Sequence, residues 1–283
     1  MINAQETGLK ESFWRKIQKS RLGVALISTL APIILLLTLS SPAQANVIQA
    51  MAQNADGLEQ SFSPAYDYDA NGCYATSAIT PSGSPNPGLG LGGAVNGHCH
   101  DRAQLDNSNT YSREKCNNGW CAIMYASYFE KDQASDGVGE IAGGSNGHRH
   151  DWEHVVVWVQ NNTVKYVSVS QHAGWATYGR QSIRFDSSGT HPKVVYHKDG
   201  GFTHDFRIAN TSDDNPVENV TGGWFYPRLV GWNGYPSTDF RNQFIYHTSY
   251  GDATIKLGTG TFENQLAGAQ ARIDTPISFN PYA

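Results

Sequence analysis

Two runs rich in β-branched residues, His154–Gln160 (HVVVWVQ) and Val164–Ser170 (VKYVSVS), sit either side of Asn161-Asn162. Val favours a pleated, packed surface, and an Asn pair suits a two-residue turn, so the stretch reads as a β-hairpin. Ala122–Phe129 (AIMYASYF), Lys193–His197, Phe202–Ile208 and Thr254–Leu257 read as further short strands, separated by Gly, Asn and Pro clusters. A helix is expected only near residues 99–106. The Pro/Gly/Ser stretch at 80–97 reads as a loop, and no repeat appears. The pattern predicts an all-β fold with minor helices, a single-domain β-sandwich. Fourteen Tyr, eleven Phe and seven Trp favour strands and aromatic-lined surfaces. The charged share of 16% lies below the usual soluble level.

The leader differs from the body. Leu22–Leu39 carries no charge, five basic residues (Lys10, Arg15, Lys16, Lys19, Arg21) precede it, and Ala43-Gln44-Ala45 follows. This is the pattern of a secretory signal cleaved after Ala45; a retained membrane anchor is the other reading. Both export the body, so residues 1–45 are expected to be a signal peptide, 46–62 a short lead-in and 63–283 the folded domain. Residues 46–283 hold 15 Lys and Arg against 23 Asp and Glu, a net charge of −8. Nucleic acid is excluded as a partner, and general attraction to an anionic membrane is opposed. Any membrane activity must come from specific recognition.

Export also bears on Cys73, Cys99, Cys116 and Cys121. An even count in an oxidising compartment implies two disulfides, and four cysteines allow three pairings. The short CNNGWC segment can close on a turn, so Cys116–Cys121 with Cys73–Cys99 is expected. The rival is a zinc site using His98 and His100, although the spacing matches no common zinc module.

The densest chemistry is Gly147–His154 (GHRHDWEH), running directly into VVVWV. Buried charges at this density need a partner. On a strand, Asp151 and Glu153 share one face, while His150, Trp152 and His154 share the other. His148 has the wrong parity for the carboxylates, but Gly147 permits a turn that brings it round. Two carboxylates and an imidazole suit Ca²⁺, Mg²⁺ or Mn²⁺ better than structural zinc. The competing reading is a solvated strand edge with one or two satisfied histidines.

GHRHDWE resembles the signature heptapeptide of the necrosis- and ethylene-inducing peptide-like proteins. Ala122–Asp132, Ser170–Trp175, His191–Gly200, Thr203-His204 and Leu229–Pro236 resemble other blocks of that family, and the likeness covers most of residues 65–268. The four cysteines resemble its subgroup with a second bridge. The resemblance implies a β-sandwich similar to actinoporins and fungal lectins. It implies secreted, extracellular cytolysins of plant-associated microbes that hold a divalent cation in an acidic cavity. They recognise sugar heads of plant glycosylinositol phosphorylceramides in the outer leaflet of the plasma membrane, cause necrosis and immunity, and are not known as enzymes. By the same resemblance the ligands are Asp132, His148, Asp151 and Glu153. Fifteen residues separate Asp132 from His148, longer than in compact members, so Asp136 and Glu140 remain alternatives for the first. His150 and Trp152 are expected to support the site, His172 resembles a cavity His, and Asp205 is a weak carry-over. Gly201–Phe206 (GFTHDF) lacks the Trp that some members carry there.

Asp67-Tyr68-Asp69-Ala70-Asn71-Gly72 matches the opening of an EF-hand loop, but Ala78 stands where the bidentate Glu belongs. A second Ca²⁺ held by Asp67, Asp69 and Asn71 and a plain turn before Cys73 are both open. Trp158 is expected in the core; Trp120, Trp175, Trp224 and Trp232 are read as loop residues, with packing favoured over sugar stacking. A monomeric cation-dependent cytolysin is the leading expectation. A non-cytolytic lectin-like or eliciting family member, and a metal-dependent hydrolase with Glu153 as base, are the rivals.

Overall fold

A computed structural model describes residues 47–137, 146–172 and 174–283. The leader, Glu140 and Ala173 lie outside these. Nine strands are described: β1 (Ala65–Tyr68), β2 (Asn109–Asn117), β3 (Trp120–Gln133), β4 (Gly147–Gln160), β5 (Thr163–Gln171), β6 (Gly174–Gly179), β7 (Lys193–Lys198), β8 (His204–Ile208) and β9 (Arg228–Val230). Four short helices accompany them: α1 (Gly57–Ser61), α2 (Arg102–Asp106), α3 (Thr238–Asn242) and α4 (Thr261–Gln270). The strands form a six-stranded sheet, β6-β5-β4-β3-β2-β9, and a three-stranded sheet, β1-β7-β8. No helix among the described residues is long and apolar enough to cross a membrane.

The hairpin organises the large sheet. Asn161 and Asn162 both take left-handed φ, 50° and 53°, which matches the twist of the strands they join. β4 also pairs antiparallel with β3 over nearly its whole length. The large sheet is covered on both sides, so its central strands read as continuous apolar runs rather than alternating ones. Ile123, Tyr125, Phe129, Val155, Val157 and Val167 face the small sheet, meeting Tyr66, Tyr68, Tyr196 and Phe206. Met124, Tyr128, Trp152, Val156 and Trp158 face the other way, meeting Tyr250, Leu257, Phe262 and Leu266 from the C-terminal region. The expected all-β sandwich is thus observed, with α4 laid on its outer face.

Some elements differ from expectation. Thr254–Leu257 is no strand: Ile255 and Leu257 plug the core, while Lys256 between them takes φ 55°, which ends strand geometry. The strand expected from Phe202 begins at His204, because Phe202 sits in a turn whose N–H bonds the Asp199 carbonyl. The possible helix near 99–106 is α2. Residues of the expected lead-in pack onto the body: Met51 is core, and Glu59 of α1 is buried. Cys73 pairs with Cys99 and Cys116 with Cys121, the latter across the β2–β3 turn. Trp158 is fully buried, its Nε1–H donating to Ser168 Oγ at 2.9 Å. Trp120 and Trp175 lie in strands rather than loops, and Trp232 stacks between Arg113 and Arg241.

Candidate metal centre in an acidic cavity

The site grows from a break in strand alternation. Asp132 faces His148 and Phe129 faces Asp151 in one β3–β4 register, in which Glu130 and His150 do not pair. Those positions are three apart on each strand, so regular pleating would send them to opposite faces. Instead the ligand atoms of Asp132, His148 and Asp151 all lie within 4.8 Å of one another. His150, between them, takes φ 61° and Gly147 takes φ 121°, turning His148 towards the carboxylates. At Gly147 a Cβ would lie 1.9 Å from the Asp132 carbonyl oxygen, so only glycine fits.

The cavity encloses about 580 Å³ and is lined by Asp132, His148, Asp151, Glu153, His204 and Lys256, among others. Asp132 is 2% exposed. It accepts the His204 backbone N–H at 3.0 Å and the His204 Nδ1–H at 2.7 Å, and His204 is itself stacked on Tyr196. Asp151 accepts a long hydrogen bond from Tyr196 Oη at 3.4 Å. Glu153 accepts from Ser170 Oγ of β5. The His148 Nδ1–H donates to the His150 carbonyl at 2.7 Å, leaving Nε2 as the lone-pair atom. This is the arrangement by which an outer hydrogen bond fixes a ligand's tautomer.

Burial, and then the Asp132 carboxylate, push Asp151 up to about 7. Burial, and then Asp151, raise Glu153 well above the ordinary carboxylate range. Burial works against the charged form of His148, but the carboxylates of Asp151 and Asp132 and the His150 carbonyl hold its pKa above the usual value. Buried carboxylates gathered this closely fit a cation: oxygen donors with one imidazole suit a hard divalent ion. Lys256, with its left-handed backbone, supplies a positive charge near Glu153.

The other residues singled out by sequence separate clearly. Asp136, the rival to Asp132, accepts the Val95 N–H at 2.7 Å and lies outside the grouping of Asp132, His148 and Asp151. His150 faces away from the cavity, its Nδ1 taking the Tyr128 hydroxyl at 2.6 Å, and its carbonyl accepts the His148 Nδ1–H. Trp152 lines the cavity while packing on Tyr128, Tyr250 and Phe244. His172 stands at the rim with Asp199 and Asp205. Asp67 accepts the backbone N–H groups of Glu218 and Asn219, while the Ala70 N–H goes to Glu218. Asp67 and Asp69 belong to neither metal-capable grouping among the described residues. Sequence reasoning assigned no role to His204, Tyr196, Ser170 or Lys256; they lie far apart along the chain, and the first three carried a signal only as members of the family-like blocks Thr203-His204, His191–Gly200 and Ser170–Trp175.

A β-sandwich with an acidic cavity of about 580 Å³ at the ends of two central strands defines the class of fold and site. The chain matches the family model of necrosis-inducing protein (NPP1) over residues 56–269, and it belongs to that family. It is 33% identical over 204 residues to NLP effector protein 10 of Phytophthora capsici, covering 70% of this chain and 77% of that one. Its fold is similar to that of NLPPya solved in complex with mannosamine, with TM-score 0.62, 26% identity and coverage of 80% and 97%. It is also similar to non-toxic HaNLP3, with TM-score 0.63, 24% identity and coverage of 82% and 99%.

Proposed function

We propose that this chain is an exported, cation-dependent cytolysin that recognises sugar heads of plant glycosylinositol phosphorylceramides and damages the outer leaflet. The observation carrying the reading is the convergence of Asp132, His148 and Asp151 within 4.8 Å. Glu153 stands beside them in the same cavity. These four residues would hold a hard divalent cation, Mg²⁺ or Ca²⁺ before Mn²⁺, whose open positions would take sugar hydroxyls. Ser170 and His204 hold the carboxylates in place, and Lys256 borders the opening. The body's net charge of −8 opposes an anionic surface, so sugar recognition supplies the attraction that charge withholds. Crystals of the relative NLPPya with mannosamine lend support to a sugar ligand.

Leakage of dye from plant plasma-membrane vesicles tests this. Asp151→Asn and Glu153→Gln should each abolish leakage, as should a chelator, while far-UV circular dichroism stays unchanged. Full leakage by both variants would refute the reading.

A second reading is a non-cytolytic lectin-like or eliciting member. Phe202 stands 70% exposed in the loop that lacks the Trp of some members, and the similar fold of HaNLP3 occurs in a protein described as non-toxic. Cation-dependent vesicle binding without leakage would select it. Turnover of a glycan or phosphoester by the purified protein would instead select the hydrolase.

A further inference from the structure

Lys256 lines the acidic cavity from a backbone that is anchored on both sides. Its neighbours Ile255 and Leu257 are core residues. The Ile255 carbonyl accepts the His154 Nε2–H at 2.7 Å, and the Leu257 carbonyl accepts an Arg113 Nη1–H at 2.8 Å. Lys256 itself takes φ 55°, uncommon for a residue with a side chain and kept only where the surroundings over-determine it. The residue is half-buried. Asp132, Asp151, Glu153 and Asp252 line the same cavity, yet the Lys256 ammonium makes no ion pair and no hydrogen bond among the described residues. Arg149, also on the cavity wall, differs: its guanidinium donates to the Pro87 carbonyl at 3.2 Å. Lys256 also lines a second hollow of about 400 Å³, whose wall shares Ala253, Thr254 and Lys256 with the acidic cavity.

We propose that Lys256 anchors an anionic group, a carboxylate or a phosphate, on the sugar ligand, so that the cavity selects acidic over neutral sugars. The inference rests on the reading of the cavity as a cation-dependent sugar site and names the class of sugar. A divalent cation held by Asp132, His148, Asp151 and Glu153 and the Lys256 ammonium repel each other across one cavity. An anion placed between them is attracted by both. It also gives the ammonium the charge-assisted acceptor that the protein itself withholds. A sugar hydroxyl can meet the cation but offers Lys256 only a neutral acceptor. A ligand larger than one ring has room beyond the lysine, in the hollow bordered by Tyr246, Thr248 and Thr259. The anchored backbone fixes where the ammonium starts from, which is what discrimination between two ligands of like shape requires.

Calorimetric titration of the purified protein in saturating Mg²⁺ with glucose, glucuronate and glucose-6-phosphate tests it, since the three differ only at the exocyclic carbon. At least one acid should bind at least about tenfold more tightly than glucose, the lower end of what a hydrogen bond to a charged group contributes. The tighter of the two tells whether the group is carboxylate or phosphate. Lys256→Gln should lower the ratio of acid to neutral affinity by about the same tenfold, and Lys256→Arg should keep it, with melting temperatures verifying that both fold. A lysine that merely balanced Glu153 would behave otherwise: its removal would tighten the cation and all three sugars alike, leaving the ratio unchanged. That result, or equal binding of the three sugars by the unaltered protein, would overturn the inference while cation-dependent sugar binding stood. Failure of all three to bind would overturn the sugar reading and this inference with it.

Discussion

The two halves of β4 lie in one ladder against β3 and are built to opposite rules. From Val155 to Val159 every residue is buried, alternation is regular, and Trp158 and its neighbours bind the two cores together. From Gly147 to Glu153 two residues adopt left-handed φ, carboxylates are buried, and alternation fails. The regular half supplies the stability that lets the irregular half hold unfavourable geometry, as strain persists only where its surroundings over-determine it.

Breaking the regular half should have the largest effect. Trp158→Ala removes a fully buried indole and its bond to Ser168, and should cost about 3–5 kcal/mol in denaturant unfolding, with residual activity per folded molecule unchanged. Gly147→Ala attacks the irregular half. Its Cβ has no room beside Asp132, so cation binding should be lost with a smaller stability cost, about 1–3 kcal/mol, seen by comparing calorimetric binding with melting.

The acidic cluster also predicts a pH response of the cation-free protein. Asp151 titrates near 7 when folded against 3.8 ordinarily, so the folded state binds more protons between those values. Stability is fully present below the lower value and is lost as pH rises through the upper one. The melting temperature of chelated protein should fall across that interval, saturating cation should remove the fall, and Asp151→Asn should reduce it, Glu153 and His148 retaining their raised values. The smallest effect is expected from Tyr128→Phe. It deletes one hydrogen bond to His150 and should cost about 0.5–1.5 kcal/mol while leaving the left-handed backbone in place.

The same contrast explains what could be read from sequence. The regular half, with Asn161-Asn162 beyond it, is written locally in Val and Asn, so the hairpin was plain. The polar β2 (NTYSREKCN) has no apolar run to mark it as a strand, and β3 extends past Phe129 through Glu130-Lys131-Asp132, charges that seldom mark a buried strand. Their partners explain it: Glu130 accepts from Asn86, Lys131 donates to the Ala94 carbonyl, and both clasp the loop at 80–97. Three of the four expected ligands lie close together in GHRHDWE, while Asp132 could be named only through the family resemblance. Their supports could not, since Ser170, Tyr196, His204 and Lys256 meet the site only through tertiary folding.

The pairing of early with late strands has a kinetic consequence. β1 lies parallel to β7, with Ala65 beside Lys193, and β2 lies parallel to β9, with Asn109 beside Arg228. Neither contact can form until most of the polypeptide is available, and each closes a long loop at an entropic cost. Such non-local pairing makes for slow folding. By the same reasoning the local β3–β4–β5 meander is expected to form before the small sheet, which adds His204 to the cavity wall.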